Sequence, residues 1–365
     1  MNYLGIYAWF GSFAVASLVA PLVIGLYKKY KWIDDPATHI HASTVHERPV
    51  PRGGGLVVAA GILAGLILSG TLSQQLGGVL LGALLLLISG TLDDRYDINP
   101  YIRYVINVGA ALCVVFSGLG IDFVTNPFGE GVIWLNLWNW DFTIGSTVLT
   151  LSLPTDILTI LWIVWNMNAV NWAKGVDGQL PGFVAIAALV IALLSLRFSA
   201  DVSQFVVTAL SLAVSGAYTG LLVWNFYPQK MMPGYAAGSL AGYFLAILAF
   251  LSGAKVATVL LLLALPTADG LFTVARRLAA GRSPFWGDRG HLHHRMLDAG
   301  WGKRRIAIFY WATTLVFGLV ALQLDSRQKL YAMMAAGALF IALLVWFTRS
   351  ITSLKPLDPD SGSKT

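Results

Sequence analysis

QLGGVLLGALLLLISGTLDDRYD, residues 75–97, runs for eighteen residues without a charge and then breaks into Asp93, Asp94 and Arg95. A helix needs about 20 apolar residues to cross a bilayer, so this run is read as a membrane span whose end is marked by the two carboxylates. The pattern recurs along the chain. Comparable stretches are centred on residues 4–27, 53–71, 101–119, 155–172, 179–196, 203–222, 235–252, 255–274, 306–323 and 330–348, which with 75–92 makes eleven candidate spans. Of the 365 residues 57% are hydrophobic and only 12% charged, with a mean hydropathy of +0.70; soluble domains carry about 25% charged residues. The expected fold is an all-α integral membrane protein of about eleven transmembrane helices. It forms one polytopic domain over residues 1–350, followed by a disordered cytoplasmic tail over 351–365 that is plainest in KPLDPDSGSKT after Leu354.

Orientation follows from the basic residues. The first apolar stretch has no Lys or Arg before it and Lys28, Lys29 and Lys31 after it, the reverse of a cleavable signal, so it is expected to stay as a helix. With alternate connections on one side, all but Arg197, Lys255, Arg327 and Lys329 of the 24 Lys and Arg residues share a face. The positive-inside rule puts that face, and the C-terminus, in the cytoplasm and the N-terminus outside. This partition accounts for most of the net charge of +6, and with no nucleic-acid motif present no nucleic-acid partner is expected. Cys113 is the only cysteine and lies in an apolar segment, which excludes disulfides and thiolate metal sites. The connection from Ile121 to Pro154 alternates polar with apolar and aromatic residues (VIWLNLWNWDFTIGSTVLTLSL), predicting a short hairpin at the outer interface.

The chemically distinctive segments all fall on the cytoplasmic side: HERPVPRGGG, LDDRYD, NWAKGVDGQ, YPQKMMPGYAAGS and RRLAAGRSPFWGDRGHLHHRM. Asp93 and Asp94 sit at a helix C-terminus, where the macrodipole disfavours carboxylates. They either hold a cation or move a proton, or they form a solvated pair neutralised by Arg95 and Arg103. In GDRGHLHHRMLDAG, Asp288 is placed to cap a short amphipathic helix ended by Gly300, with His291, His294 and Arg295 on one face and Leu292 and Met296 on another. Imidazoles and a guanidinium together suit a phosphate dianion; the rivals are a zinc site and a basic helix on acidic lipid. Asp269, inside an apolar segment after Leu265 and Pro266, is either a functional acid or the partner of Arg276. The glycines after Arg52 (Gly53, Gly54, Gly55) suit backbone approach to an anion or close helix packing. Lys174, at the mouth of an apolar segment, has two local explanations, snorkelling to the headgroups or pairing with Asp177.

Together LDDRYDI, NAVNWAKGVDG, PTADGLFTVARR and GRSPFWGDRGHLHHRM resemble the polyprenyl-phosphate N-acetylhexosamine-1-phosphate transferases of the glycosyltransferase family 4 type, over nearly the whole chain. The HLHHR form is similar to the branch that makes surface polysaccharides or teichoic acids. The resemblance implies transfer of a sugar phosphate from a UDP-sugar to undecaprenyl phosphate or another polyprenyl phosphate, with release of UMP and with Mg²⁺. It places the active site on the cytoplasmic face of the inner membrane, and leaves a homodimer open. It assigns Asp93 and Asp94 to the lipid phosphate and the metal, Asn171 and Asp177 to the nucleotide-sugar, and His291, His293, His294 and Arg295 to the diphosphate. Arg52, at the glycine run, and Asp269, inside an apolar segment, are expected from their own settings to be further substrate contacts. Two positions depart from the family pattern. Lys174 stands where N-x-x-D-G-x-D-G has its first aspartate, and Ala236 in Tyr235–Ser239 stands where G-D-x-G-S has a metal-binding one. The expected reading is that Lys174 joins Asp93, Asp94 and Asp177 in catalysis and takes over part of the metal's electrostatic work. The alternatives are an inactive relative that binds one of the substrates, and a transporter.

Overall fold

The computed structural model describes residues 2–37, 45–72, 76–126, 129–144, 147–198, 203–252, 255–284 and 288–354. Each of the eleven apolar stretches falls on helix. The helices are α1 (Asn2–Lys29), α2 (Gly54–Leu68), α3 (Gly77–Tyr96), α4 (Pro100–Val115), α5 (Leu153–Trp172), α6 (Gln179–Ser195), α7 (Ser203–Asn225), α8 (Gly234–Leu251), α9 (Lys255–Leu262), α10 (Ala264–Ala279), α11 (Leu292–Asp298), α12 (Lys303–Gln323) and α13 (Ser326–Leu354). Seven are long and apolar enough to cross a membrane alone, α9 with α10 form an eighth span if taken together, and α2, α4 and α6 are shorter apolar helices. Large apolar side chains such as Leu18 and Leu22 are about 70% exposed, at 70% and 72%, on the perimeter of α1. Such surface is costly in water and at home against lipid tails. The protein is an integral membrane protein.

Small residues set the packing, because without a hydrophobic drive between helices close van der Waals approach must supply the attraction. Gly65 of α2 admits Ser12 and the Ala8 carbonyl of α1, and Gly216 of α7 admits the Trp9 carbonyl, so α1, α2 and α7 lie backbone to backbone. The most enclosed span is α8, 83% buried, between α3 and α5.

The segment 255–274 is not one straight helix: α9 and α10 meet at an 80° bend. Pro266 has no N–H to return to the Leu262 carbonyl, which accepts from Thr314 Oγ1 of α12 at 3.4 Å instead. Between α4 and α5 there are two antiparallel hairpins rather than one, β3 (Phe123–Thr125) with β4 (Val132–Trp134) and β5 (Asn139–Ile144) with β6 (Thr147–Ser152). A two-residue ladder, β1 (Ile33–Asp34) with β2 (Val50–Pro51), closes the connection after α1. α13 continues through Leu354, into the segment expected as a tail from 351; residues 355–365 lie outside the described residues, as do Phe285, Trp286 and Gly287 of the PFWG stretch.

Candidate active site

The connections after α1, α3, α5, α7 and α10 converge around a cavity of about 410 Å³. Its floor is built where α3 ends and α8 begins. The Asp94 carboxylate accepts from the backbone N–H of Tyr235 at 2.6 Å and of Ala236 at 3.4 Å, so it occupies the N-terminus of α8, where unpaired N–H groups and the dipole favour an anion. Gly234 makes this possible. Its φ is +70°, and a Cβ there would lie 2.2 Å from Asp94 Oδ2. Asp93, one residue earlier, points to the other side, accepting from Ile98 N at 3.0 Å and from Arg103 Nη1 at 3.1 Å. Arg95 takes no part, lying over the Trp32 and Tyr96 rings.

Lys174 leaves the loop after α5 and its ammonium donates to the Gly234 carbonyl at 2.7 Å. The Tyr235 ring carries two cations, Arg103 at 5.2 Å and Lys174 at 5.6 Å from its centroid. Removal from water lowers the Lys174 pKa to about 8, with Asp94 and Asp93 opposing the fall. Lys174 thus turns to the Gly234 carbonyl rather than to Asp177, whose buried carboxylate accepts from Gln229 N at 3.1 Å and braces the connection after α7.

The histidine loop turns inward. α11 starts at Leu292 with His291 as its N-cap, and Leu292, His293, His294, Arg295 and Met296 are all buried, so the expected amphipathic surface helix with an Asp288 cap is corrected. Asp288 instead accepts from Arg276 at 2.8 Å, Arg277 at 3.2 Å and Gly290 N at 2.7 Å. Burial alone would raise its pKa, but the two guanidinium groups and the backbone donor bring it down to about 2. Asp269 lies in α10 beyond the bend. It is 1% exposed, and it accepts from Leu292 N at 2.8 Å while its second oxygen meets His291 Nδ1 at 2.9 Å. Arg276 is not its partner. The rings of His291, His293 and His294 form a file, with centroids 5.9 and 4.2 Å apart, and Gly175 makes room for it, since a Cβ there would lie 1.9 Å from His293 Nε2. Burial, reinforced by Arg289 and the neighbouring imidazoles, holds His293 well below the usual range and His294 at about 4. Both are neutral at pH 7. Their Nδ1 atoms and Asn171 Oδ1 are buried without a hydrogen-bond partner, which marks them as groups awaiting a ligand.

Of the residues singled out from sequence, Arg52, Asp93, Asp94, Asn171, Lys174, His291, His293 and His294 line this one cavity. Asp177, Asp269 and Arg295 stand behind the wall: Arg295 donates to the Gly290 carbonyl at 2.9 Å and lies over the Phe272 ring. Sequence reasoning missed Asp34, His46 and Tyr235 as wall residues. Asp34 is buried and takes the Arg52 guanidinium at 2.5 Å, and the signal was available in two acids, Asp34 and Asp35, directly after the first span.

The sequence model described as Glycosyl transferase family 4 matches residues 76–253, from the start of α3 to the end of α8. A Yersinia pestis protein called undecaprenyl-phosphate alpha-N-acetylglucosaminyl 1-phosphate transferase is 30% identical over 290 residues, covering 76% of this chain and 73% of its own. The chain belongs to glycosyl transferase family 4. A probable undecaprenyl-phosphate N-acetylglucosaminyl 1-phosphate transferase of Bacillus subtilis is 28% identical over 87% of this chain and 84% of its own. A phospho-N-acetylmuramoyl-pentapeptide-transferase of Halalkalibacterium halodurans is 25% identical over 86% and 95%. This family 4 chain is an enzyme of the same phosphotransferase kind.

The Mg²⁺ implied by the resemblance does not fit the donor set of this enzyme. Among the described residues no group of three or more His, Cys, Asp or Glu side chains is placed to share a cation. Asp93 is tied to Arg103, and Asp94 to the α8 backbone. Ala236 is fully buried, with Gly55 of α2 and Gly90 of α3 packed so closely that a Cβ on either would fall 2.3 and 2.7 Å from its own.

Proposed function

We propose that this enzyme transfers an N-acetylhexosamine 1-phosphate from a UDP-sugar to a polyprenyl phosphate on the cytoplasmic face of the inner membrane, for cell-envelope polysaccharide assembly. The observation that carries this reading is the composition of one cavity wall: Lys174, Arg52 and Arg103 together with His293 and His294, which are neutral and whose Nδ1 atoms are buried without a partner. Cations and imidazole N–H groups are the donors that phosphates select. The printed names of the relatives, among them decaprenyl-phosphate N-acetylglucosaminephosphotransferases of mycobacteria, support the polyprenyl phosphate acceptor and the transferred amino-sugar phosphate.

In the step itself, an oxygen of the lipid phosphate attacks the β-phosphorus of the UDP-sugar. A P–O bond forms there, the bond from that phosphorus to the oxygen bridging to the α-phosphate breaks, and UMP leaves with the bridging oxygen. Reactants and products carry equal charge, so no net proton is released. Catalysis then consists of alignment and charge stabilisation. Lys174 and the two arginines stabilise charge on the reacting phosphates, and the histidine file, fixed by Asp269, holds the diphosphate. Purified protein incubated with labelled UDP-N-acetylhexosamines and undecaprenyl phosphate is expected to give labelled lipid and UMP. Nucleotide-sugar binding without labelled lipid would replace this reading with that of an inactive binder.

A further inference from the structure

We propose that Lys174 is the resident cation of the phosphate site, so that transfer in this enzyme proceeds without a divalent metal. The inference rests on the transferase reading above and on the mismatch between the wall and a metal ion. The carboxylates on the wall lie beside basic groups: Asp34 has Arg52 at 2.5 Å, Asp93 and Asp97 share Arg103 at 3.1 and 4.0 Å, and Asp288 has Arg276 at 2.8 Å. Asp94 has Lys174 in its field and the α8 N-terminus at its oxygens. Mg²⁺ is usually held by one or two carboxylates together with water and substrate phosphates, and here Asp93 and Asp94, which would serve, are turned to a guanidinium and to backbone N–H groups. The acids of this wall are thus offset by bases at close range, with Asp93 and Asp97 sharing one.

The same arrangement suits an anion. An ammonium has three donors, and Lys174 spends one on the Gly234 carbonyl at 2.7 Å. That bond fixes the nitrogen beside the Tyr235 ring and in the field of both Asp93 and Asp94. Two donors are left for phosphate oxygens, with Arg103 over the same Tyr235 ring at 5.2 Å. The lysine supplies one charge where a metal supplies two, and its position is fixed by backbone and ring rather than by carboxylates. The Ala236 position makes this arrangement hard to reverse, because Gly55 and Gly90 pack directly against its Cβ and leave a carboxylate no room.

The test compares turnover of the full-length enzyme in nanodiscs with EDTA and with Mg²⁺, for wild type, Lys174→Ala and Lys174→Arg. Equal wild-type turnover in both conditions is expected, with a loss of roughly 100-fold to 1000-fold in Lys174→Ala, the scale for removing one charge-stabilising donor, and partial recovery in Lys174→Arg. Turnover abolished by EDTA and restored by Mg²⁺, or a Lys174→Ala enzyme as active as wild type, overturns the proposal. A second readout needs no turnover: Mg²⁺ alone should leave the wild-type melting temperature unchanged, and saturable stabilisation by Mg²⁺ counts against the assignment. If no condition yields labelled lipid, the transferase reading fails by itself. The cation assignment is then decided by UDP-N-acetylglucosamine binding in EDTA, where loss of binding in Lys174→Ala supports it and equal binding in the two proteins overturns it.

Discussion

Replacing Gly234 by alanine tests whether the floor of the cavity is held together as described. Two costs add. The backbone at Gly234 has φ of +70°, a left-handed conformation that costs an L-residue about 1–2 kcal/mol. The new Cβ would also sit 2.2 Å from Asp94 Oδ2, which forces the carboxylate off the α8 N-terminus and forfeits its short bond to Tyr235 N, a charge-assisted hydrogen bond of about 1.5–3 kcal/mol. The sum is roughly 2.5–5 kcal/mol. Gly281 supplies the control: its φ is +66° and nothing lies within 4 Å of a Cβ there, so Gly281→Ala isolates the backbone term. SDS titration in mixed micelles should show Gly234→Ala destabilised beyond Gly281→Ala, and turnover should fall steeply in the first only, because the Gly234 carbonyl also holds Lys174. Equal stability and equal turnover in the two variants would refute the account of the floor.

Turnover should fall as pH rises through about 8, where Lys174 loses its proton, and Lys174→Arg should remove that limb. Unfolding does not explain such a fall. The unfolded chain keeps this proton to about 10.5 while the folded chain releases it near 8, so this group makes folding more favourable with rising pH between those values. Asp269→Asn weakens the hold on His291 and should raise KM for the nucleotide-sugar roughly 10-fold to 100-fold, the worth of one charge-assisted hydrogen bond; an unchanged KM in steady-state assays refutes its positioning role. Ala236→Asp should not confer Mg²⁺ dependence, and should destabilise by about 3 kcal/mol or more, the scale for an unpaired buried charge, read in the same SDS titration.

The helices were legible because a bilayer imposes length and hydropathy: each of the eleven apolar stretches lies on helix, and among the described residues seven, or eight with the bent pair, are long and apolar enough to cross. The 80° bend was not, although Pro266 was in plain view: a bend needs somewhere for the freed Leu262 carbonyl to go, and Thr314 is 52 residues away. At the site, the residue types were readable and their directions were not. The HLHHR helix reads as amphipathic on a wheel, yet it packs on α12 and α13, Asp269 of α10 takes its first N–H, and both faces are buried. Asp177 looks like a wall residue from its Gly-flanked loop, but the Gln229 backbone takes its carboxylate. Lys174 could be flagged as anomalous from sequence, whereas its acceptor, the Gly234 carbonyl 60 residues on, belongs to tertiary structure alone.

The enclosure of α8, at 83%, bears on how this chain can vary. From Gly234 to Gly242 the helix is made largely of Gly, Ala and Ser, and neighbours press on it from α2, α3, α5 and α7. Along that stretch natural selection should police bulk more strictly than polarity: a serine for an alanine passes, a leucine does not. Hydropathy profiles, which would score the leucine as an improvement, are therefore blind to the substitutions that this helix can least absorb.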